Sequence, residues 1–130
     1  MKWSFESSDA SGAYHVRDDL LAYLEVYATA DSDLESAALI FGELVGNVVR
    51  HAPGPIAVRL HWEAGTAVLA VRDAGPGFEW DHASLPDPLA ECGRGLFIVQ
   101  AMARSIEFHR LQPCGTEAVA RLPVLLRHTA

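Results

Sequence analysis

Between Gly42 and His51 the chain spaces Glu43, Asn47 and His51 four residues apart. On a helix that interval stacks the three side chains on one face, opposite Phe41, Leu44 and Val48. A carboxylate so placed can accept a proton from a nucleophile or orient it. An amide oxygen one turn on can serve a hard cation such as Mg²⁺, which keeps several waters and favours phosphate oxygens. The same spacing also describes an ordinary solvated helix face. Two glycine pairs follow, Gly75 and Gly77 in "RDAGPGFEW" and Gly93 and Gly95 in "CGRGLF". Glycine lets backbone approach a ligand closely, and a helix N-terminus offers free N–H groups and a positive dipole end to phosphate. The second pair reads as a phosphate-facing helix start with Arg94 as an added donor, although turns and caps also use glycine routinely. Asp73 closes the run before the first pair. A buried carboxylate there needs partners: the exocyclic amine of a purine is one, its own backbone in an Asx-turn another. Neither glycine pair completes a dinucleotide fingerprint, and the chain has no P-loop.

Elements must position these residues. "KWSFES" alternates, with Trp3 and Phe5 on one face, and predicts a short strand. Tyr14, Leu20, Leu21, Leu24 and Tyr27 recur at mostly helical intervals and predict a first helix from about Ala10 to Thr29. Ser32 with Glu35 three residues on is a capping-box signature. It opens a second helix whose apolar stripe runs through Leu34, Ala37, Ala38, Phe41, Leu44, Val45, Val48 and Val49 until Pro53 and Pro55 stop it. Two alternating runs around "EAGT" predict a hairpin, with Ile56, Val58, Leu60 and Trp62 sharing a face, as do Val68 and Ala70. "DHASLPDPLAEC" reads as a loop, "GRGLFIVQAMAR" as a third helix, and "SIEFHRLQ", a "PCGT" turn and "EAVARLPV" as a last hairpin. Strands and helices do not alternate. The expected fold is therefore α+β, a mostly antiparallel sheet with the helices on one face.

Composition narrows the function classes. The 130 residues fit one domain, 1–130, long enough to bury a core without disulfides or a structural metal. Seventeen acidic against ten basic residues give a formal charge of −7, and the basic ones form no run. Direct nucleic-acid binding needs clustered Lys and Arg and is excluded on that ground. No stretch approaches a membrane span, and the N-terminus lacks the apolar core of a signal peptide. Cys92 and Cys114 are far apart. They indicate no disulfide framework and read as small, mostly buried filler, so a reducing cytoplasm is the expected compartment.

Taken in order, "ELVGNVVRH", "DAGPGF", "GRGLFIV" and "GTEAVARLP" resemble the ATP-binding fold of gyrase, heat-shock chaperones, histidine kinases and mismatch-repair proteins. Within that group the chain is most similar to stand-alone anti-sigma factor serine/threonine kinases, over nearly its whole length. The resemblance implies a Bergerat-type two-layer α/β sandwich with a mixed, mostly antiparallel sheet and about three helices on one face. It implies ATP and Mg²⁺ as ligands. Glu43 would match the general base, Asn47 the Mg²⁺ ligand and Asp73 the carboxylate that reads the adenine amino group. Gly75 and Gly77 would shape the adenine pocket, Gly93, Arg94, Gly95 and Leu96 would meet the phosphates, and Thr116 would support adenine recognition through water. The segment from Glu79 to Cys92 would be a short lid. The implied activity is phosphorylation of a serine on a small anti-sigma antagonist of the STAS type, with a sigma factor as competing client and a homodimer as the assembly. No dimerisation helix with a phosphoacceptor histidine precedes the domain, so a complete sensor kinase is not expected, and His51 reads as a helix-end residue. Some of the family's kinases carry a basic residue just before the second glycine pair, where this chain has Glu91. That favours the alternative, a non-catalytic ATP/ADP-binding switch that sequesters a protein partner.

Overall fold

The computed structural model describes residues 1–75 and 91–127, with 91–96 described by backbone only. The elements are β1 (Lys2–Glu6), α1 (Ala10–Tyr27), α2 (Leu34–His51), β2 (Pro55–Glu63), β3 (Thr66–Asp73), α3 (Glu91–Met102), β4 (Ser105–Arg110) and β5 (Thr116–Leu125). The strands form one sheet in the order β1-β2-β3-β5-β4, and every described pair is antiparallel. The expected α+β sandwich is what forms.

Strand alternation and helix periodicity explain the layering. Ile56, Val58 and Leu60 of β2, Ala67, Leu69 and Val71 of β3, and Ala118, Ala120, Leu122 and Val124 of β5 point to one side and are buried there. Against them pack Val16, Leu20 and Leu24 of α1, Ile40, Phe41, Leu44 and Val48 of α2, and Val99 of α3. Helix α2 contacts both other helices and the sheet, so its buried face is wide. The α1 stripe runs at intervals of four through Val16, Leu20 and Leu24, and Tyr14 and Tyr27, expected on the apolar face, are exposed. Tyr14 lies six residues before Leu20, off the stripe, and its ring instead carries the Arg17 guanidinium at 5.1 Å.

Val68 and Ala70 are buried too, but on the opposite side of β3. Their cross-strand neighbours include Arg59 and Arg121, whose long aliphatic stems can cover apolar surface while the charged ends stay in water. The β2–β3 turn is the two residues Ala64 and Gly65, at φ 50° and 80°. Positive φ at both central positions matches the twist of a tight hairpin.

The second helix is capped one residue later than the sequence suggests. Asp33, not Ser32, takes the N-cap: its carboxylate accepts from the Ser36 N–H (3.0 Å) and the Ser36 hydroxyl (2.6 Å). Those bonds, the hydroxyl's foremost, hold the Asp33 carboxyl below its usual range. The stability they give is present above the ordinary carboxylate pKa and is lost as pH falls through the lowered one. Ser32 works elsewhere. Its hydroxyl accepts from the Leu125 N–H at 3.0 Å and shares a hydrogen bond with the Thr29 hydroxyl at 2.8 Å, tying the α1–α2 connection to the end of β5.

Trp62 donates its indole N–H to the Tyr23 hydroxyl at 2.9 Å, joining β2 to α1. Tyr23→Phe removes that acceptor and keeps the ring. The expected cost is about 0.5–1.5 kcal/mol, read from the midpoint of urea unfolding at unchanged slope.

Candidate functional site

At one end of the sandwich the inward face of the sheet stops being apolar. The inward series of β3 runs Leu69, Val71, Asp73, so the alternation that buries the first two also buries the third. The inward series of β5 begins with Thr116 and continues with the small Ala118 and Ala120. Across from them α2 presents Leu44, Asn47 and Val48. A cavity of about 290 Å³, open at its mouth, is left between these elements, lined by Leu44, Asn47, Val48, Val71, Asp73, Phe108, Thr116 and Ala118. Its mostly apolar wall with a few convergent polar groups is the usual chemistry of small-molecule sites. The three polar groups, Asn47, Asp73 and Thr116, are all buried.

Asp73 takes the Asx-turn role open to it in the sequence and adds a bond across the sheet. Its Oδ1 accepts from the Gly75 N–H at 3.1 Å, which is the Asx-turn, and from the Thr116 N–H at 3.2 Å across the sheet. Its Oδ2 makes no hydrogen bond among the described residues, and the residue lines the cavity. Burial pushes the Asp73 carboxyl above its ordinary 3.8, and the two backbone N–H groups pull against that. A buried carboxylate with one oxygen held and one spare is suited to accept from an N–H donor such as an exocyclic amine.

Asn47 is not on a solvated helix face. It is 4% exposed, enclosed by the broad buried face of α2. Its Oδ1 accepts from Arg50 Nη2 at 3.0 Å, and its Nδ2 has no partner among the described residues. Gly46 makes room for this contact, since a Cβ there would stand 3.2 Å from Arg50 Nη1. Glu43, one turn before Asn47, is half-buried and makes no hydrogen bond or ion pair among the described residues. His51 is exposed in the last turn of α2.

The glycines divide. At Gly75 a Cβ would lie 3.0 Å from the Ala52 Cβ, so its absence lets the end of β3 close on the end of α2. Gly77 and residues 79–90 of the expected lid lie outside the described residues. Helix α3 already includes Glu91 and Cys92, so it begins two residues earlier than the sequence suggests and the expected lid is bounded earlier, while Gly93 and Gly95, expected to open the helix, fall within its first turns. The side chains of Arg94 and Leu96 lie outside the described residues. Cys114, expected to be buried, is exposed, on the turn that leads into Thr116.

Two positions that sequence reasoning passed over matter here. Gly115 has φ +100°, and a Cβ on it would run into the Asp73 carbonyl oxygen. Arg50 covers the Asn47 oxygen. The "GT" pair hinted at the first, and the i, i+3 spacing from Asn47 could have suggested the second.

Residues 7–122 match the family model described as a histidine kinase-like ATPase domain. The chain belongs to the histidine kinase-like ATPase family. That membership makes it an ATP-binding domain. Among solved structures, Acinetobacter baumannii histidine kinase AdeS has the same fold, with a TM-score of 0.54 at 14% identity. The match covers 94% of this chain and 66% of that one. No curated protein sequence matches the chain. No helix among the described residues is long and apolar enough to cross a membrane.

The described residues also fit a Mg²⁺ of the kind that takes most of its ligands from phosphate and water. No group of three or more His, Cys, Asp or Glu residues among them could hold a metal alone. One amide oxygen, that of Asn47, is the protein donor such an ion asks for. Arg50 would have to turn off that oxygen to release it.

Proposed function

We propose that this domain binds ATP with Mg²⁺ in the cavity between α2 and the sheet, and that it is a serine-protein kinase of the anti-sigma regulatory class. The observation that carries the reading is the convergence of Asp73, Asn47 and Thr116 from three separate elements on one cavity, with Glu43 a turn away. Asp73 Oδ2 would accept from the adenine amino group, and the Thr116 hydroxyl would support the base through water. Asn47 would hold Mg²⁺, which when bound neutralises charge on the phosphate oxygens. Glu43 would take the proton from a serine hydroxyl of the partner as the oxygen attacks the γ-phosphorus and ADP leaves. Gly93, Arg94, Gly95 and Leu96 would face the phosphates. The partner would be a small antagonist domain of the STAS type, with a sigma factor as competing client and a homodimer as the working assembly.

Incubation with labelled ATP, Mg²⁺ and a purified candidate antagonist tests this. Label is expected on an antagonist serine, and Glu43→Gln is expected to slow its appearance roughly 100- to 10,000-fold while leaving ATP binding intact. Transfer undiminished in Glu43→Gln would remove Glu43 from the chemistry.

A second reading is a nucleotide-dependent switch that sequesters its partner without transferring phosphate. The guanidinium on the Asn47 oxygen favours it, because the cation site is then already met by a cation. ATP binding with no transfer to any genuine partner would support this reading over the first.

A further inference from the structure

The face of the sheet turned away from the helices carries a second depression. Register sets Lys2 opposite Arg59, Arg59 opposite Ala70, Ala57 opposite Arg72, and Arg72 opposite Glu117. The small Ala57 and Ala70 form the floor and the four charged residues rise around it, giving a groove of about 470 Å³ open to solvent.

Its charges do not balance. Glu117 is well buried for a carboxylate, its side chain 14% exposed, and it takes Arg72 through Nε at 3.2 Å and Nη2 at 3.0 Å. Arg59 reaches the same oxygen only at 4.0 Å, beyond hydrogen-bond range. Lys2 makes no ion pair among the described residues. One carboxylate therefore answers three cations. Lys2 and Arg59, directly opposite each other on paired strands, are also of like charge, an arrangement that is unfavourable unless something lies between them. The chain as a whole carries −7, so this patch stands out against the rest of the molecule.

We propose that this groove is an anion site for a phosphate monoester. Such a group carries about −1.5 to −2 charges near neutral pH, which matches the uncompensated charge. The planar guanidinium of Arg59 suits two phosphate oxygens at once, Lys2 supplies a second cation from the neighbouring strand, and the alanine floor accepts the carbon of the ester. The site lies on the opposite side of the sheet from the nucleotide cavity and does not depend on the kinase reading. The phosphate can arrive on a small molecule or on a phosphorylated protein side chain.

Residue-resolved NMR titration at low, matched ionic strength tests it, since exposed charge pairs are screened by salt. The probes are inorganic phosphate, O-phosphoserine, and a short phosphoserine peptide beside its unphosphorylated form. Saturable shifts are expected at the amides of Ala57, Arg59 and Ala70. Arg59→Ala is expected to weaken binding about tenfold, the scale of one lost charge-assisted hydrogen bond. Glu117→Gln is expected to tighten it by removing the competing carboxylate, an effect that misfolding would not mimic. A peptide that binds more tightly than free phosphate points to a protein-borne source, and equal binding points to a small one. Shifts that fail to saturate, that chloride reproduces, that are confined to Asn47 and Thr116, or that are unaltered in Arg59→Ala would overturn the proposal.

Discussion

Asp73→Asn is expected to abolish the thermal stabilisation that ATP with Mg²⁺ gives the wild-type protein. A ligand at a hundred times its Kd stabilises a fold by about 2.7 kcal/mol, so the quantity to be lost is large. The substitution is gentle on the fold. The amide oxygen of an asparagine can keep both bonds that Oδ1 now accepts, from Gly75 and Thr116. The amide nitrogen then stands where Oδ2 stood and offers a donor to a donor. Stability without ligand is expected to hold or to rise at neutral pH. Burial raises the Asp73 pKa, so its contribution to stability is full below the unfolded value and is lost as pH rises through the folded one. Asparagine escapes that loss. Binding has the opposite sense: the accepting form is the carboxylate, so ATP affinity is expected to fall as pH drops through the raised pKa of Asp73. Melting curves with and without ATP, over a range of pH, read all three. A ligand shift that survives in Asp73→Asn would sink the adenine assignment.

Gly115→Ala is expected to cost several kcal/mol of stability and to remove ATP binding from whatever remains folded. A side chain at φ +100° is strained by about 1–3 kcal/mol. The added Cβ also collides with the Asp73 carbonyl oxygen, which is backbone and cannot turn aside, and overpacking of that kind costs a further 1–3 kcal/mol or so. Gly54→Ala separates the two effects. Gly54 also has positive φ, at +143°, but a Cβ there meets nothing within 4 Å. Urea unfolding should show the larger loss at Gly115, and equal losses would mean that the collision is relieved elsewhere.

Much of the fold could be read from local pattern because local pattern produces it. The alternation of β2 showed its buried face, and the four-residue interval put Glu43 and Asn47 on one face of α2, but β3 is apolar on both sides and its pattern did not show to which side Asp73 points. What the sequence could not reveal depends on distant neighbours. Asn47 looks solvated when α2 is viewed alone and becomes buried once the sheet and the flanking helices close over it. Ser32 looks like the cap until Leu125, nearly a hundred residues on, claims its hydroxyl. Gly115 looks like an ordinary turn glycine until the end of β3 is laid beside it. The both-sided burial of β3 likewise needs the arginines of its neighbours, which a single strand does not display.

The position of β5 has a consequence for biosynthesis. It is the latest described strand in chain order, yet it lies inside the sheet, between β3 and β4. It also supplies Thr116, whose N–H helps to fix the Asp73 carboxylate. A chain emerging from the ribosome can assemble the first hairpin and the helices before β5 exists, but the proposed nucleotide cavity is complete only once β5 has slotted in beside β3. On the proposed site, ATP capture would be a late event in folding and would mark a finished domain.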